Sequence, residues 1–229
     1  LFAGLPLERK GDRLVSQPLS MEARKARLVC IDVESGRPLW CTVDSANPQV
    51  RDLAFLGGVA VEGDSLFAVG ACWAEDQSIR RRLVEFSPAD GSVRRVLELE
   101  AGEDPSAPWM ISRGRATGFI ARVDVAGPFL ILQHHEGRIT CVDRNRWRVW
   151  WNFSWPADDE EEPNSGYARL LAGMDSVLIE GETLWCLSPQ GGPLVQLDAA
   201  SGAERGRLGG HWRHAGRGGA GEGAWALSD

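Results

Sequence analysis

A short turn signature returns four times along the chain, and its spacing constrains the fold more than any other feature. Asp32-Val33-Glu34-Ser35-Gly36 is the first copy and Ser87-Pro88-Ala89-Asp90-Gly91 the second. Asp143-Arg144-Asn145-Arg146-Trp147 is a degraded third copy, and Asp198-Ala199-Ala200-Ser201-Gly202 is the fourth. The copies start 55, 56 and 55 residues apart, and each follows a short apolar run. Self-similarity at a fixed period marks a chain built from one repeated supersecondary unit. Within a unit the order reads strand, tight turn, strand. In the first copy Leu28-Val29-Cys30-Ile31 leads in, and Asp32 can accept hydrogen bonds from turn amides. Gly36 tolerates a positive φ, and Leu39-Trp40 leads out.

The remaining pattern is strand-like. Short apolar runs fall at 27–32, 59–61, 65–69, 82–86, 93–99 and 118–125, then at 129–133, 138–142, 147–153, 176–179, 183–187 and 194–197. Residues 62–64, 89–91, 135–137, 180–182 and 189–192 carry the Gly, Asp and Pro content of turns. No stretch sustains a 3.6-residue apolar period; 21–27 comes nearest and is too short to stand alone. One period holds a sheet of about four strands with room for a long loop, and sheets stacked radially give a β-propeller. A β-sandwich needs no internal period, and a doubly wound α/β fold needs helices that the sequence lacks.

The stretch from Ile31 to Trp40 resembles the repeat of the quinoprotein-like, or PQQ-like repeat, propellers. In that family an Ala-x-Asp-x-x-Thr-Gly-x-x-x-Trp unit docks one blade on the next. Asp32, Gly36 and Trp40 match it, with Ser35 in place of threonine. Asp198, Ser201 and Gly202 match in the last copy, where Gly206 replaces the docking tryptophan. Asp143 and Trp151 match in the third, with Trp147 in place of glycine, and the second keeps Gly91 with Arg95 at the tryptophan position. The tryptophan element is thus kept in two copies only. The resemblance implies an all-β propeller of its noncatalytic branch, with about four recognisable repeats. Rings of that kind commonly close with about seven or eight blades, so the expectation is part of a larger or partner-completed ring. Residues 1–24 then form an edge or partner-contact segment, 25–210 the blades, and 211–229 a tail or closing strand.

Composition excludes some partners. A formal charge of -7 gives no general attraction to nucleic acid or an anionic membrane. Arginine outnumbers lysine 23 to 2, which reads as codon usage rather than chemistry. Five cysteines, with no CxxC pair, speak against structural zinc and against complete internal pairing. Cys30, Cys141 and Cys186 sit in apolar runs and read as small buried thiols. No apolar run reaches the roughly 18 residues of a membrane span, so no membrane insertion is expected. The odd thiol count and the absence of a basic-then-apolar leader favour the cytoplasm, although the chain starts at Leu1 rather than Met.

Candidate chemistry is sparse. His134-His135 reads as a pair of exposed turn histidines, and His211 and His214 as loop residues among glycines. The acidic run 158–162 lacks the alternating ligands of a calcium loop and reads as solvated, and Arg80-Arg81-Arg82 reads as surface. Alternation along 147–155 places Trp147, Trp151, Phe153 and Trp155 on one face and Trp150 on the other, serving core and blade docking. Nucleophile elbows, Walker loops and zincin motifs are missing from the sequence. No catalytic, cofactor-binding or metal-binding residue is assigned, and no cofactor is expected. The reading is a noncatalytic scaffold that binds a protein partner or further blades through Trp73, Arg113, Arg115, Asp159, Glu160 and Trp212, all in or beside expected loops. Two other readings stand beside it: a quinone- and metal-dependent oxidoreductase, and a sensor or regulatory domain for a small ligand.

Overall fold

The computed structural model describes residues 2–10, 13–16, 26–55, 57–73, 79–99, 121–134, 138–154, 177–187 and 194–208. They form four antiparallel sheets of four strands each. The first holds β1 (Phe2–Lys10), β2 (Arg13–Ser16), β3 (Ala26–Ile31) and β4 (Pro38–Cys41) in the order β2-β1-β3-β4. The second is the meander β5 (Ala60–Glu62), β6 (Ser65–Trp73), β7 (Ile79–Phe86) and β8 (Val93–Leu99). The third is β9 (Ala121–Ala126), β10 (Phe129–His134), β11 (Arg138–Asp143) and β12 (Arg148–Ser154). The fourth is β13 (Val177–Glu180), β14 (Thr183–Leu187), β15 (Leu194–Asp198) and β16 (Glu204–Leu208), again a meander. In every sheet the repeated turn joins the third strand in the chain to the fourth.

The apolar runs explain the stacking. In a strand, successive side chains leave opposite faces, so a strand between two sheets must be apolar on both. In β6, Leu66 and Ala68 pack with Leu28 of the first sheet, while Phe67 and Val69 pack with Leu130 and Leu132 of the third. In β10, Leu130 and Leu132 face back to the second sheet and Ile131 faces Leu184, Cys186 and Val195 of the fourth. The fourth sheet differs. In β14 only Leu184 and Cys186 are buried, and their neighbours on the opposite face are half-exposed.

The first two sheets are also bridged by the segment between them. Asn47 caps the short helix α1 (Pro48–Arg51), its side chain accepting from the Gln49 amide at 2.9 Å. Val50, Leu53 and Phe55 then fill the space between the sheets. Gly70 admits them, because a Cβ there would lie 2.8 Å from the Phe55 ring and 2.9 Å from Leu53.

One irregularity recurs in all four sheets. The ladder slips between Cys30 and Ile31, Glu85 and Phe86, Cys141 and Val142, and Gln196 and Leu197. Each slip passes over one residue on the outer strand: Leu39, Arg94, Trp150 or Arg205. Such a bulge turns the following side chain onto a chosen face.

Three expectations are corrected. Trp147 does not share a face with Trp151 and Phe153: it packs toward the second sheet and they pack toward the fourth. Strict alternation fails because the turn and the bulge at Trp150 intervene; Trp155 lies outside the described residues. His134 is not an exposed turn residue but a buried end of β10, its Nε2 3.1 Å from Thr140 Oγ1; His135 lies outside the described residues. The arginine run is split by alternation: Arg81 is buried, whereas Arg80 and Arg82 reach Glu98 at 4.0 and 3.8 Å.

Candidate functional site

The repeated turn is built the same way each time. The amide four residues after its start donates to the first carbonyl: Gly36 to Asp32 at 2.9 Å, Gly91 to Ser87 at 2.9 Å, Trp147 to Asp143 at 2.8 Å and Gly202 to Asp198 at 2.8 Å. Those donors sit at φ of 67, 70, 52 and 70°, the left-handed region that favours glycine; Trp147 is the one non-glycine there among the described residues.

A carboxylate ties the turn. Ser35 donates its hydroxyl and its amide to Asp32, at 2.6 and 2.7 Å, and Ser201 does so to Asp198 at 2.8 and 2.7 Å. These bonds hold both carboxyls below the usual range, the serine hydroxyl contributing most. In the second copy the pair is reversed, with Ser87 at the first position and Asp90 three residues on. Bonds from the Ser92 amide and then the Ser87 hydroxyl bring Asp90 down to about 2. In the third, the Arg146 amide lowers Asp143 most. The lowered carboxyls of these turns thus serve structure.

The second, third and fourth turns also receive a side chain from the preceding sheet. Trp40 donates Nε1 to the Pro88 carbonyl at 2.9 Å and stacks on Phe86, with centroids 6.1 Å apart. Trp151 donates to the Ala199 carbonyl at 3.1 Å, and the bulged Trp150 donates to Ala200 at 2.6 Å. Between the second and third sheets Arg95 takes the same place and donates to the Arg144 carbonyl at 2.9 Å. Pro88, Arg144 and Ala199 each follow the first residue of their turn. The tryptophan thus docks in two copies, as expected, and Arg95 serves a third joint.

The acceptors are matched in size. A Cβ on Gly91 would lie 2.6 Å from Trp40, and a Cβ on Gly202 would lie 2.6 Å from Trp151. Opposite Arg95 the glycine is Trp147, and the guanidinium lies 4.2 Å from its ring centroid. The sequence carries this signal: the copy that loses its tryptophan precedes the copy that gains one at the glycine position.

Two surfaces lie at the ends of the stack. On the fourth sheet, Leu178, Trp185, Leu187, Leu194 and Leu208 share the face turned away from the third sheet by strand pairing. Leu178 is 66% and Leu208 50% exposed. At the other end stands the first turn, with Val33 78% exposed. Of the residues expected to contact a partner, Trp73 ends β6, and its side chain is outside the described set. Arg113, Arg115, Asp159, Glu160 and Trp212 lie outside the described residues altogether.

Other chemistry is muted. Burial raises the Cys30 thiol and pushes Cys141 and Cys186 up to about 12, far from the thiolate form. Among the described residues no group of three or more His, Cys, Asp or Glu is placed to hold a metal. No helix among them is long and apolar enough to cross a membrane.

No family model matches the chain, and no curated protein does. Solved structures do. BamB from Moraxella catarrhalis is similar at a TM-score of 0.50 and 15% identity, over 90% of this chain and 50% of that one. Sqt1 from Saccharomyces cerevisiae is similar at 0.56 and 11% identity, over 82% of this chain and 44% of that one. A quinohemoprotein alcohol dehydrogenase from Pseudomonas putida aligns at 0.44 and 13% identity, over 80% and 31%. The chain spans half or less of the length of each. Four-stranded antiparallel sheets, three of them plain meanders, repeated at one period and clamped in series by one kind of contact, together with the likeness to BamB and Sqt1, give the chain a β-propeller fold.

Proposed function

We propose that the chain is a noncatalytic scaffold that binds another protein or assembles with one. The observation that supports this most is the exposed apolar face of the fourth sheet, centred on Leu178, Trp185 and Leu208. Contiguous exposed apolar surface on a rigid sheet is the usual sign of an interaction site. Trp73, Arg113, Arg115, Asp159, Glu160 and Trp212, which the sequence puts in or beside expected loops, would add aromatic anchors and charged selectors. The shifted carboxyls and buried thiols are accounted for by turns and core, which leaves no described constellation for acid–base or nucleophilic work.

The test is affinity capture by the purified chain, compared with the double variant Leu178→Asp, Leu208→Asp. A partner retained by the first and lost by the second is the expected result. Two results would overturn the reading. One is dye reduction by an alcohol or sugar after loading with pyrroloquinoline quinone and calcium. The other is a thermal shift with small metabolites and no stable protein partner.

A further inference from the structure

We propose that the third turn and the start of β12 form a docking surface for an acidic peptide segment of another protein, with Trp150 as the aromatic anchor and Arg146 and Arg148 as the cations. This surface is separate from the apolar face of the fourth sheet, and its test does not use that face.

Charge sets this turn apart. Residues 143–148 hold three arginines and one aspartate, a net +2, whereas the other three turns each carry -1 over the same six positions. The whole chain stands at -7, so the turn is a local reversal of sign. Arg144 is committed inward, paired with Glu62 and lying 5.7 Å from the Phe67 ring centroid. Arg146 donates to Asp143 at 2.9 Å and still leaves 64% of its side chain exposed. Arg148 is exposed and makes no hydrogen bond or ion pair with another described residue.

Trp150 joins these cations into one site. It is 43% exposed, the one tryptophan among the large apolar side chains that the described residues leave open. The bulge carries it out of the ladder, and its Nε1 donates to the Ala200 carbonyl at 2.6 Å, which fixes the ring across the seam between the third and fourth sheets. The guanidinium of Arg148 lies 5.2 Å from the ring centroid and that of Arg146 5.8 Å. Trp151 already clamps this seam through Ala199, so the joint does not call for either arginine. An indole held in place before binding costs little to order, and tryptophan and arginine are the side chains on which interfaces most depend.

The chemistry selects the guest. A guanidinium open to solvent beside an aromatic plane takes a carboxylate through two parallel hydrogen bonds. In an extended peptide, acids at alternate positions stand on one face about 7 Å apart, which suits two guanidinia flanking one ring. The start of the chain's own acidic run does not supply them. It lies four residues past Ser154, at the end of β12 remote from Arg148. The strand covers roughly 20 Å, and four residues span at most about 14 Å.

The experiment is fluorescence anisotropy with a labelled peptide of alternating glutamate and alanine, and with its glutamine counterpart. The glutamate peptide should bind at least about tenfold tighter, and added salt should weaken it. Arg148→Glu and Trp150→Ala should each lower its affinity about tenfold or more. Arg37→Gln, at an exposed arginine of the first turn, should leave it within about twofold. Arg148→Glu changes only a solvent-facing side chain, so it decides the matter even if Trp150→Ala opens the seam. Exchanging the acids of 158–162 for Asn and Gln should also leave the affinity within about twofold. The proposal is overturned if the glutamine peptide binds equally well, or if Arg148→Glu binds like the unchanged chain. It is also overturned if neutralising 158–162 tightens binding about tenfold, which would make the chain's own acids the guest, or if a short DNA duplex binds more tightly than the glutamate peptide.

Discussion

The joint between the first and second sheets and the joint between the second and third solve one problem with opposite parts. In the former a large ring, Trp40, lies on a turn that keeps Gly91 bare. In the latter the turn carries the ring, Trp147, and the incoming side chain is the flat cation Arg95. Both donors end on a carbonyl at the same place in the turn. What the joint requires is one planar aromatic layer and one N–H donor, not a particular residue at either position. The two solutions differ in what they cost. Trp40 draws on burial and ring stacking with Phe86. Arg95 also contacts Glu85, which is buried and accepts from Ser65, so part of its strength is electrostatic and screened where it reaches solvent.

The sharpest way to break this comparison is to empty both joints. Trp40→Ala, which truncates a half-buried ring packed against the core, should cost about 2–3 kcal/mol. Arg95→Ala, which removes a partly exposed cation, should cost about half of that. Urea midpoints at unchanged slope measure both, and equal losses would mean that packing does not set the difference. A finer instrument is the exchange of one joint for the other. Arg95→Trp alone crowds Trp147, and Trp147→Gly alone strips Arg95 of its ring, each costing about 1–2 kcal/mol. The double variant rebuilds the first joint, so a coupling of about 1–2 kcal/mol should return. Simple additivity would make the exchange an accident of sequence.

The smallest effect probes the turn that receives Trp40 by acid. In the fold the Asp90 carboxyl sits at about 2, below its ordinary 3.8. The folded chain thus favours the ionised form, and that stabilisation is complete above the ordinary value and fades as pH falls toward about 2. Asp90→Asn should flatten the fall of melting temperature across that window, through the turn that receives Trp40 and not the one that receives Arg95. An acid limb identical to the unchanged chain would show that the Asp90 bonds do not persist in solution.

Much of this order was legible in the amino acids. The four turns, their left-handed glycines and the doubly apolar runs of β6 and β10 follow from spacing and hydropathy. The first sheet was less so: β1 contains Pro6 and ends in charge, and long-range pairing to β3 rather than local pattern makes it a strand. The spacing and Gly91 reveal the second copy, but the reversed Ser87 and Asp90 hid its carboxylate tie, because a hydrogen-bonded pair reads alike in either order only once both ends are seen. Arg95 was passed over since a single position was compared with a single letter, while the joint is a property of two positions on different sheets. The His134 reading failed for a similar reason, as burial of a strand end depends on its neighbours. The rim residues proposed for partner contact carried a loop signal, and a loop signal says where a side chain can reach without saying what it meets.

The recurrent bulge has a practical reach beyond geometry. It places two adjacent outer-strand residues under unlike demands, with Trp40 committed to the joint and Leu39 turned out to solvent at 60% exposure. A fluorophore or cross-linker carried at position 39 would therefore report on the seam between sheets from one residue away, without entering it.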